Sequence, residues 1–230
     1  MSVNLFLIYF ATALAAYLLG SVPTGYLVAR AKGIDIRSVG SGNIGATNAM
    51  RVLGKPAGIF VLLVDVLKGY AACALLAPFV FHLLGDKVYE LAKFGLPPVC
   101  VIENRNNIVA GIGVVLGHNY TCWLKFKGGK GIATTAGVFL ALAPWALLMA
   151  LVVFILALVF TKYVSVASIA AAIALPTAVW IMTPQNILLG TIATALGVMA
   201  IYKHQGNIQR LRAGTENRIG KKSSTSEKAK

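Results

Sequence analysis

"IATTAGVFLALAPWALLMALVVFILALVF", residues 132–160, contains no charged residue and a single proline, Pro144. About 20 apolar residues carry a helix across the ~30 Å hydrocarbon core of a bilayer. The stretch is therefore either one long tilted span or two helices that part at Pro144, which has no N–H and whose ring clashes with the preceding turn. That choice sets the parity of the chain: it decides on which side of a membrane everything downstream lies.

Five further apolar runs lie at 4–29, 57–82, 107–124, 164–182 and 185–203. Composition agrees with them. The chain is 58% hydrophobic and 12% charged, where a soluble domain carries about a quarter charged residues. The first run lacks a basic segment ahead of it and is too long for a signal-peptide core, so it reads as a retained helix. Lysine and arginine then resolve the parity, because they favour the cytoplasmic side. Segment 29–56 carries Arg30, Lys32, Arg37, Arg51 and Lys55, and the tail from Lys203 carries eight lysines and arginines. With a break at Pro144, both segments, residues 125–131 and Lys162 all fall inside; without it the tail lands outside.

The expectation is an all-α polytopic membrane protein of seven transmembrane helices, N-terminus outside and C-terminus cytoplasmic. The fourth span, 132–143, is short, which is tolerable where it lines a protein-enclosed cavity. Residues 1–216 read as a single domain and 217–230 as a basic, serine-rich, disordered cytoplasmic tail. The outside loop, 83–106, is charge-balanced, with Asp86, Lys87, Glu90, Lys93, Glu103 and Arg105, and carries "GLPPVC". No internal repeat supports a repeat-built transporter. A net charge of +14 would suit nucleic acid, but the basic residues cluster in loops between apolar runs, as membrane orientation requires, so no nucleic-acid partner is expected. Cys73, Cys100 and Cys122 have no paired spacing; two sit in apolar runs, so free, buried thiols and no metal are expected.

Three polar clusters share the cytoplasmic side. In "VGSGNIGATNAMR", 39–51, glycines at 40, 42 and 45 permit positive φ and close backbone approach. Ser41, Asn43, Thr47 and Asn48 supply short polar groups, and Arg51 a fork suited to two phosphate oxygens. "KFKGGKGIAT", 125–134, is not a Walker loop, since Gly131 stands where serine or threonine is required. It nevertheless leads a glycine loop into a helix near Ile132, presenting amides and the positive end of a dipole to an anion. Lys130 adds a full charge there, while Lys125 and Lys127 read as membrane-side anchors. In "YKHQGNIQRLRAGTENR", 202–218, His204 and Asn207 stand three apart and share a face if the last helix continues past the membrane. Arg210, Arg212 and Glu216 follow.

Polar residues inside spans need reasons, since a central charge costs about 2.5–3.5 kcal/mol. Asp65 and Lys68 are three apart and read as a mutual ion pair; His118 and Ser168 are cavity-lining candidates. No nucleophile elbow occurs. An H-x-x-x-x-D signature is absent too, because Lys87, Trp123 and Gln209 fill the aspartate positions after the three histidines. What remains is catalysis by positioning and by stabilising developing negative charge.

"SGNIGATN" (41–48), "FKGGKGIAT" (126–134) and "HQGNIQRLRAGTE" (204–216) closely resemble the three signature loops of the bacterial integral-membrane glycerol-3-phosphate acyltransferases, which use acyl phosphate as donor. "LLGSVPTGYLVAR" (18–30), "DVLKG" (65–69) and "GHNY" (117–120) fit as well, so the resemblance runs over roughly residues 5–216. It implies acyl transfer to the 1-hydroxyl of sn-glycerol 3-phosphate, giving lysophosphatidic acid and phosphate at the start of phospholipid synthesis in the bacterial inner membrane. No cofactor is implied; a functional coupling to the enzyme that makes acyl phosphate is. The resemblance assigns Ser41 and Arg51, with Thr47 and Asn48 beside them, to the first motif's functional positions. It assigns Gly128, Gly129, Lys130 and Gly131 to the phosphate-binding loop, Ser168 to a polar site position, and His204 and Asn207 to the third motif. Of these, Ser41, Lys130, His204 and Asn207 are the catalytic candidates. Whether His204 acts as a base or as a positioning residue stays open. The rival reading, a carrier or channel for organic phosphates, is disfavoured by the near-neutral outside loop. That loop is longer than the family pattern leads one to expect, and oligomeric state is not legible.

Overall fold

The computed structural model describes residues 5–85, 88 and 98–220. Among them every regular element is helical. The chain forms two compact units, Met1–Pro144 and Trp145–Lys230.

In the first unit, α1 (Leu5–Ser21) stops at Val22–Pro23, where proline removes a donor, and the chain restarts as α2 (Thr24–Arg30). An amphipathic α3 (Ala46–Leu53) buries Asn48 and Ala49 and ends at Gly54, φ 93°. The next helix, α4 (Lys55–Leu84), runs unbroken except for one π turn over Ala72–Leu76. Pro78 follows that turn: it offers no N–H to the carbonyls behind it, and a widened turn accommodates the misfit. The buried Asn106 amide donates to the Ala77 carbonyl at 2.8 Å beside this irregularity.

The helix expected at 107 begins eight residues earlier, as α5 (Val99–Asn119), with Pro98 at its N-cap. Glu103 and Arg105, assigned above to the outside loop, lie on this helix. The reason is periodicity. Ile102, Asn106, Ala110, Gly113 and Gly117 are buried at helical spacing, and that stripe extends to the N-terminal end regardless of intervening charges. Gly113 and Gly117 form a small-xxx-small pair. A Cβ on Gly113 would stand 2.7 Å from the Ala13 carbonyl oxygen of α1, and one on Gly117 would collide with that of Tyr17. Of the rest of the 83–106 loop, residues 86–87 and 89–97 lie outside the described residues, as does the tail from 221.

The break at Pro144 is as expected. α6 (Ile132–Leu142) ends, and α7 (Pro144–Thr161) begins, around Ala143 at φ −154°, ψ 70°; the proline ring denies its predecessor the helical region. α6 packs backbone to backbone on α4: Gly69 abuts the Thr134 carbonyl and Gly137 that of Val66.

The second unit holds α7, α8 (Val164–Met182), α9 (Ile187–Lys203) and α10 (Gln205–Arg212). Asn186 caps α9 by accepting from Leu189 N–H at 3.1 Å. Trp180 of α8 donates Nε1–H to Thr194 Oγ1 at 3.1 Å. The last span does not continue straight: α9 and α10 meet at 51°, with His204 at the joint.

Five described helical segments are long and apolar enough to cross a membrane, and a sixth if α9 and α10 count as one; Ile132–Leu142 is shorter. All three cysteines are free, but only Cys73 is buried. Cys122, expected inside, is exposed on a 3-10 turn at Cys122–Leu124 that follows α5 rather than on a packed helix face.

Candidate active site

Two of the three polar clusters belong to the first unit and meet over one core. Ile44 and Ala49 of the 39–51 region, with Ile36 just before it, pack with Ala29, Val61 and Leu124, and Leu124 is the residue before the lysine–glycine loop. Asn48 organises the first cluster. Its Oδ1 accepts from the Ser41 amide at 2.8 Å and from Arg51 Nη1 at 3.4 Å, and its Nδ2 donates to the carbonyls of Ile36 (3.2 Å) and Val39 (3.1 Å). Asn48 is 1% exposed, so its amide holds the loop's shape, with Ser41 partly exposed and Thr47 and Arg51 exposed around it. Gly40 and Gly42 take φ 64° and 71°, as expected. Gly45 does not: at φ −80° it is the N-cap of α3, where an extended residue is needed and no left-handed one. Nearby, the Arg37 guanidinium hydrogen-bonds Asp35 through Nε and Nη2 at 2.9 and 2.7 Å, holding that carboxyl down at about 2.

The second loop departs from expectation in one respect. The Gly128 and Gly129 amides do not face outward; they donate to the carbonyls of Asn119 (3.2 Å) and His118 (2.9 Å). Close approach explains the glycines, since a Cβ on Gly128 would strike the His118 carbonyl and one on Gly129 the His118 ring. Gly131, φ 81°, is the N-cap of α6, and left-handed backbone there favours glycine. The amides left for an anion are those of the first turn, 132–134, which have no acceptor within the helix. Thr134, in that turn, is fully buried, and its hydroxyl has no hydrogen-bond partner. Lys125 and Phe126 both sit at positive φ, 53° and 60°, and Lys125 and Lys127 are exposed, as anchors would be.

Beneath these loops the Asp65–Lys68 pair forms as expected, at 2.8 Å, and it recruits His118, whose Nδ1 lies 2.9 Å from Lys68 Nζ. Thr24 Oγ1 lies 3.5 Å from Asp65 Oδ1.

The third cluster belongs to the second unit. His204 is 3% exposed and its Nδ1 lies 2.7 Å from the Ala200 carbonyl. A carbonyl only accepts, so Nδ1 carries the proton and, in the neutral ring, Nε2 the lone pair. Asn207 is also buried. Its Nδ2 donates to Glu216 Oε1 at 2.7 Å, and Arg210 Nε donates to Glu216 Oε2 at 2.7 Å. Burial pushes the Glu216 carboxyl up. The Asn207 amide, the Arg210 guanidinium and the nearby Ser165 hydroxyl outweigh it, leaving the group below its ordinary value. Ser168 is buried on α8. Glu216 and Ser165 were not among the site residues the sequence suggested; an acidic residue in so basic a tail was the signal for Glu216, and Ser165 gave none.

Among the described residues no group of three histidine, cysteine, aspartate or glutamate side chains is placed to hold a metal.

A family model for glycerol-3-phosphate acyltransferase matches residues 10–214. The glycerol-3-phosphate acyltransferases of Geotalea daltonii and Geobacter sulfurreducens are 44% and 46% identical over 204 residues, covering 89% of this chain and 94% of each relative. The crystal structure of PlsY, an integral membrane glycerol 3-phosphate acyltransferase, in its glycerol 3-phosphate form matches with TM-score 0.76 at 34% identity, covering 96% of this chain and 99% of that one. Its lysophosphatidic acid form matches with TM-score 0.72 at 35% identity, over 92% and 95%. With motifs, helical membrane architecture and nearly the full length in agreement, the chain belongs to the glycerol-3-phosphate acyltransferase family.

Proposed function

We propose that this protein transfers a fatty acyl group from acyl phosphate to the 1-hydroxyl of sn-glycerol 3-phosphate, releasing lysophosphatidic acid and inorganic phosphate. The observation that carries the reading is the match over nearly the whole chain to a relative solved in a glycerol 3-phosphate and a lysophosphatidic acid form. The hydroxyl oxygen bonds to the mixed-anhydride carbonyl carbon, the carbon–oxygen bond to phosphate breaks, and the hydroxyl proton passes to a phosphate oxygen. Phosphate is a good leaving group, so a strong acid is not required.

The roles we assign combine the family resemblance with the geometry in each unit. Arg51 and Lys130 neutralise phosphate charge, and Thr47 and the first-turn amides of α6 donate hydrogen bonds to phosphate oxygens. Ser41 and Ser168 donate hydroxyl hydrogen bonds. Gly128, Gly129 and Gly131 shape the loop rather than lend their amides, and Asn48 holds the first loop in place. In the second unit His204 accepts the glycerol hydroxyl's hydrogen bond at Nε2, and Asn207, clamped by Glu216, positions substrate beside it. His204 orients rather than deprotonates: its partner is a neutral carbonyl, which stabilises an imidazolium less than a carboxylate would.

The topology we propose has seven spans, counting α6 and α9, with the N-terminus outside and the C-terminus and the three motifs cytoplasmic, in a bacterial inner membrane. The lysine and arginine distribution supports it. One family match running over both units supports treating 1–216 as a single acyltransferase domain, with 217–230 as a tail. Acyl phosphate implies functional coupling to the enzyme that makes it.

The test offers labelled glycerol 3-phosphate to purified protein with acyl phosphate, acyl coenzyme A or acyl carrier protein, each separately. Label in lysophosphatidic acid with acyl phosphate alone is expected. Product from only another donor, or vesicle uptake without lysolipid, would overturn the reading.

A further inference from the structure

Three buried ionisable side chains of the first unit have no part in the chemistry above: Asp65 and Lys68 of α4 and His118 near the end of α5. A bare ion pair is costly at membrane depth, so three such groups together call for a purpose. Lys68 Nζ lies 2.8 Å from Asp65 Oδ1, 2.9 Å from His118 Nδ1 and 3.2 Å from the Val22 carbonyl. An ammonium has only hydrogens to give. His118 Nδ1 therefore accepts from Lys68, its 3.6 Å separation from Asp65 Oδ1 being too long for a hydrogen bond, and the ring's proton resides on Nε2.

That Nε2 is the atom nearest to where a Cβ on Gly129 would stand. The same residue's carbonyl accepts the Gly129 amide at 2.9 Å, and the next carbonyl, Asn119, accepts Gly128 at 3.2 Å. His118 thus holds the glycine loop by its backbone and fills the space above it by its ring. The end of α5 is itself stitched to the α1–α2 break. Thr121 Oγ1 donates to the Ser21 carbonyl at 2.6 Å, Tyr17 donates to the Tyr120 carbonyl at 2.8 Å, and Lys68 takes the Val22 carbonyl released at Pro23. Gly69, next to Lys68, abuts the first turn of α6 at Thr134, so one cluster braces both sides of the loop.

We propose that His118, oriented by the Asp65–Lys68 pair, is a positioning residue that fixes the Gly128–Gly131 loop, and with it Lys130 and the first turn of α6, in the form that binds phosphate. This rests on the phosphate-binding reading of that loop. His118 and Gly129 share one volume, so their effects couple: removing the ring makes room for a methyl at 129.

The experiment is a double-mutant cycle in acyl transfer with full-length protein purified in detergent, using H118A, G129A and the pair, with K68M and K130A alongside. Gel filtration and thermal unfolding establish that each variant is folded. H118A and K68M are expected to raise KM for the phosphate substrates about tenfold with a smaller change in kcat, the mark of lost ground-state binding. G129A alone should cost about tenfold or more in kcat/KM, yet under about twofold when added to H118A, a coupling of about fivefold or more, roughly 1 kcal/mol at about 1.4 kcal/mol per decade. Where H118A does not fold, H118N carries the same cycle, because its Oδ1 can accept from Lys68 while leaving the Nε2 space open. Additive losses in folded variants, or wild-type kinetics for H118A with K130A impaired, would overturn the positioning role alone. Wild-type kinetics for K130A would instead remove the phosphate reading on which the role rests.

Discussion

Glu216→Ala tests the third motif's geometry at a residue that touches no substrate in the proposed mechanism. Two hydrogen bonds of 2.7 Å end on this carboxylate, from Asn207 Nδ2 and Arg210 Nε. Its side chain is 7% exposed, whereas that of Arg210 is 35% exposed. The Arg210 contact, open to water, contributes about 0.2–1 kcal/mol. The Asn207 contact is the larger one, because a hydrogen bond to a charged acceptor is worth about 1.5–3 kcal/mol. Asn207 should lose orientation by that amount, which corresponds to a fall in kcat of about 10- to 100-fold at 1.4 kcal/mol per decade. Glu216→Gln keeps an acceptor for Asn207 but turns its NH2 toward Arg210, so its loss should be smaller, about three- to tenfold if roughly half the interaction survives. Acyl transfer by purified, monodisperse protein at saturating acyl phosphate measures this directly. If Glu216→Ala stays within twofold of wild type, or if Gln is as damaging as Ala, the Asn207 clamp does not act as described.

Other outcomes follow from the same geometry. His204→Gln should retain clearly more activity than His204→Ala, since glutamine offers a hydrogen-bonding group near the Nε2 position; a general base would lose about 10²–10⁴-fold in both variants. Gly117→Ala forces a methyl into the Tyr17 carbonyl and should lower the thermal midpoint, by overpacking of about 1–3 kcal/mol, whereas Gly33→Ala, with nothing nearby, pays only the cost of a positive φ. Glu216 has a folded value below its ordinary 4.5, so its ionised form stabilises the fold above that pH. The contribution is constant near neutrality and is lost as pH falls from about 4.5 through the lowered value; Glu216→Gln should flatten that part of the stability–pH curve while leaving the neutral region level.

Much of the membrane architecture could be read from residues alone, for identifiable reasons. Burial in lipid demands long apolar runs, so α1, α4, α8 and α9 announce themselves. Proline's missing donor is a local property, so the break at Pro144 was legible, whereas the one at Pro23, inside a run read as unbroken, was not. Pro78 and Pro176 sit within helices that continue through them, so what a proline does to a helix depends on its surroundings. The start of α5 is hidden in the linear sequence because Glu103 and Arg105 look like loop residues; their helix is held by a buried stripe that emerges only once α1 lies against it.

The site divides along the same line. Residue type and spacing alone pointed to three anion-suited clusters, because glycine, lysine and arginine advertise their chemistry. Which amides face a ligand was a matter of three-dimensional contact: Gly128 and Gly129 turn theirs inward to His118 and Asn119, nine or more residues away in sequence. The partners of Asn48, the tautomer of His204 and the joining of His118 to Asp65–Lys68 were likewise decided by tertiary structure. A hydrogen bond depends on position and angle, and a linear pattern specifies neither until the chain has folded.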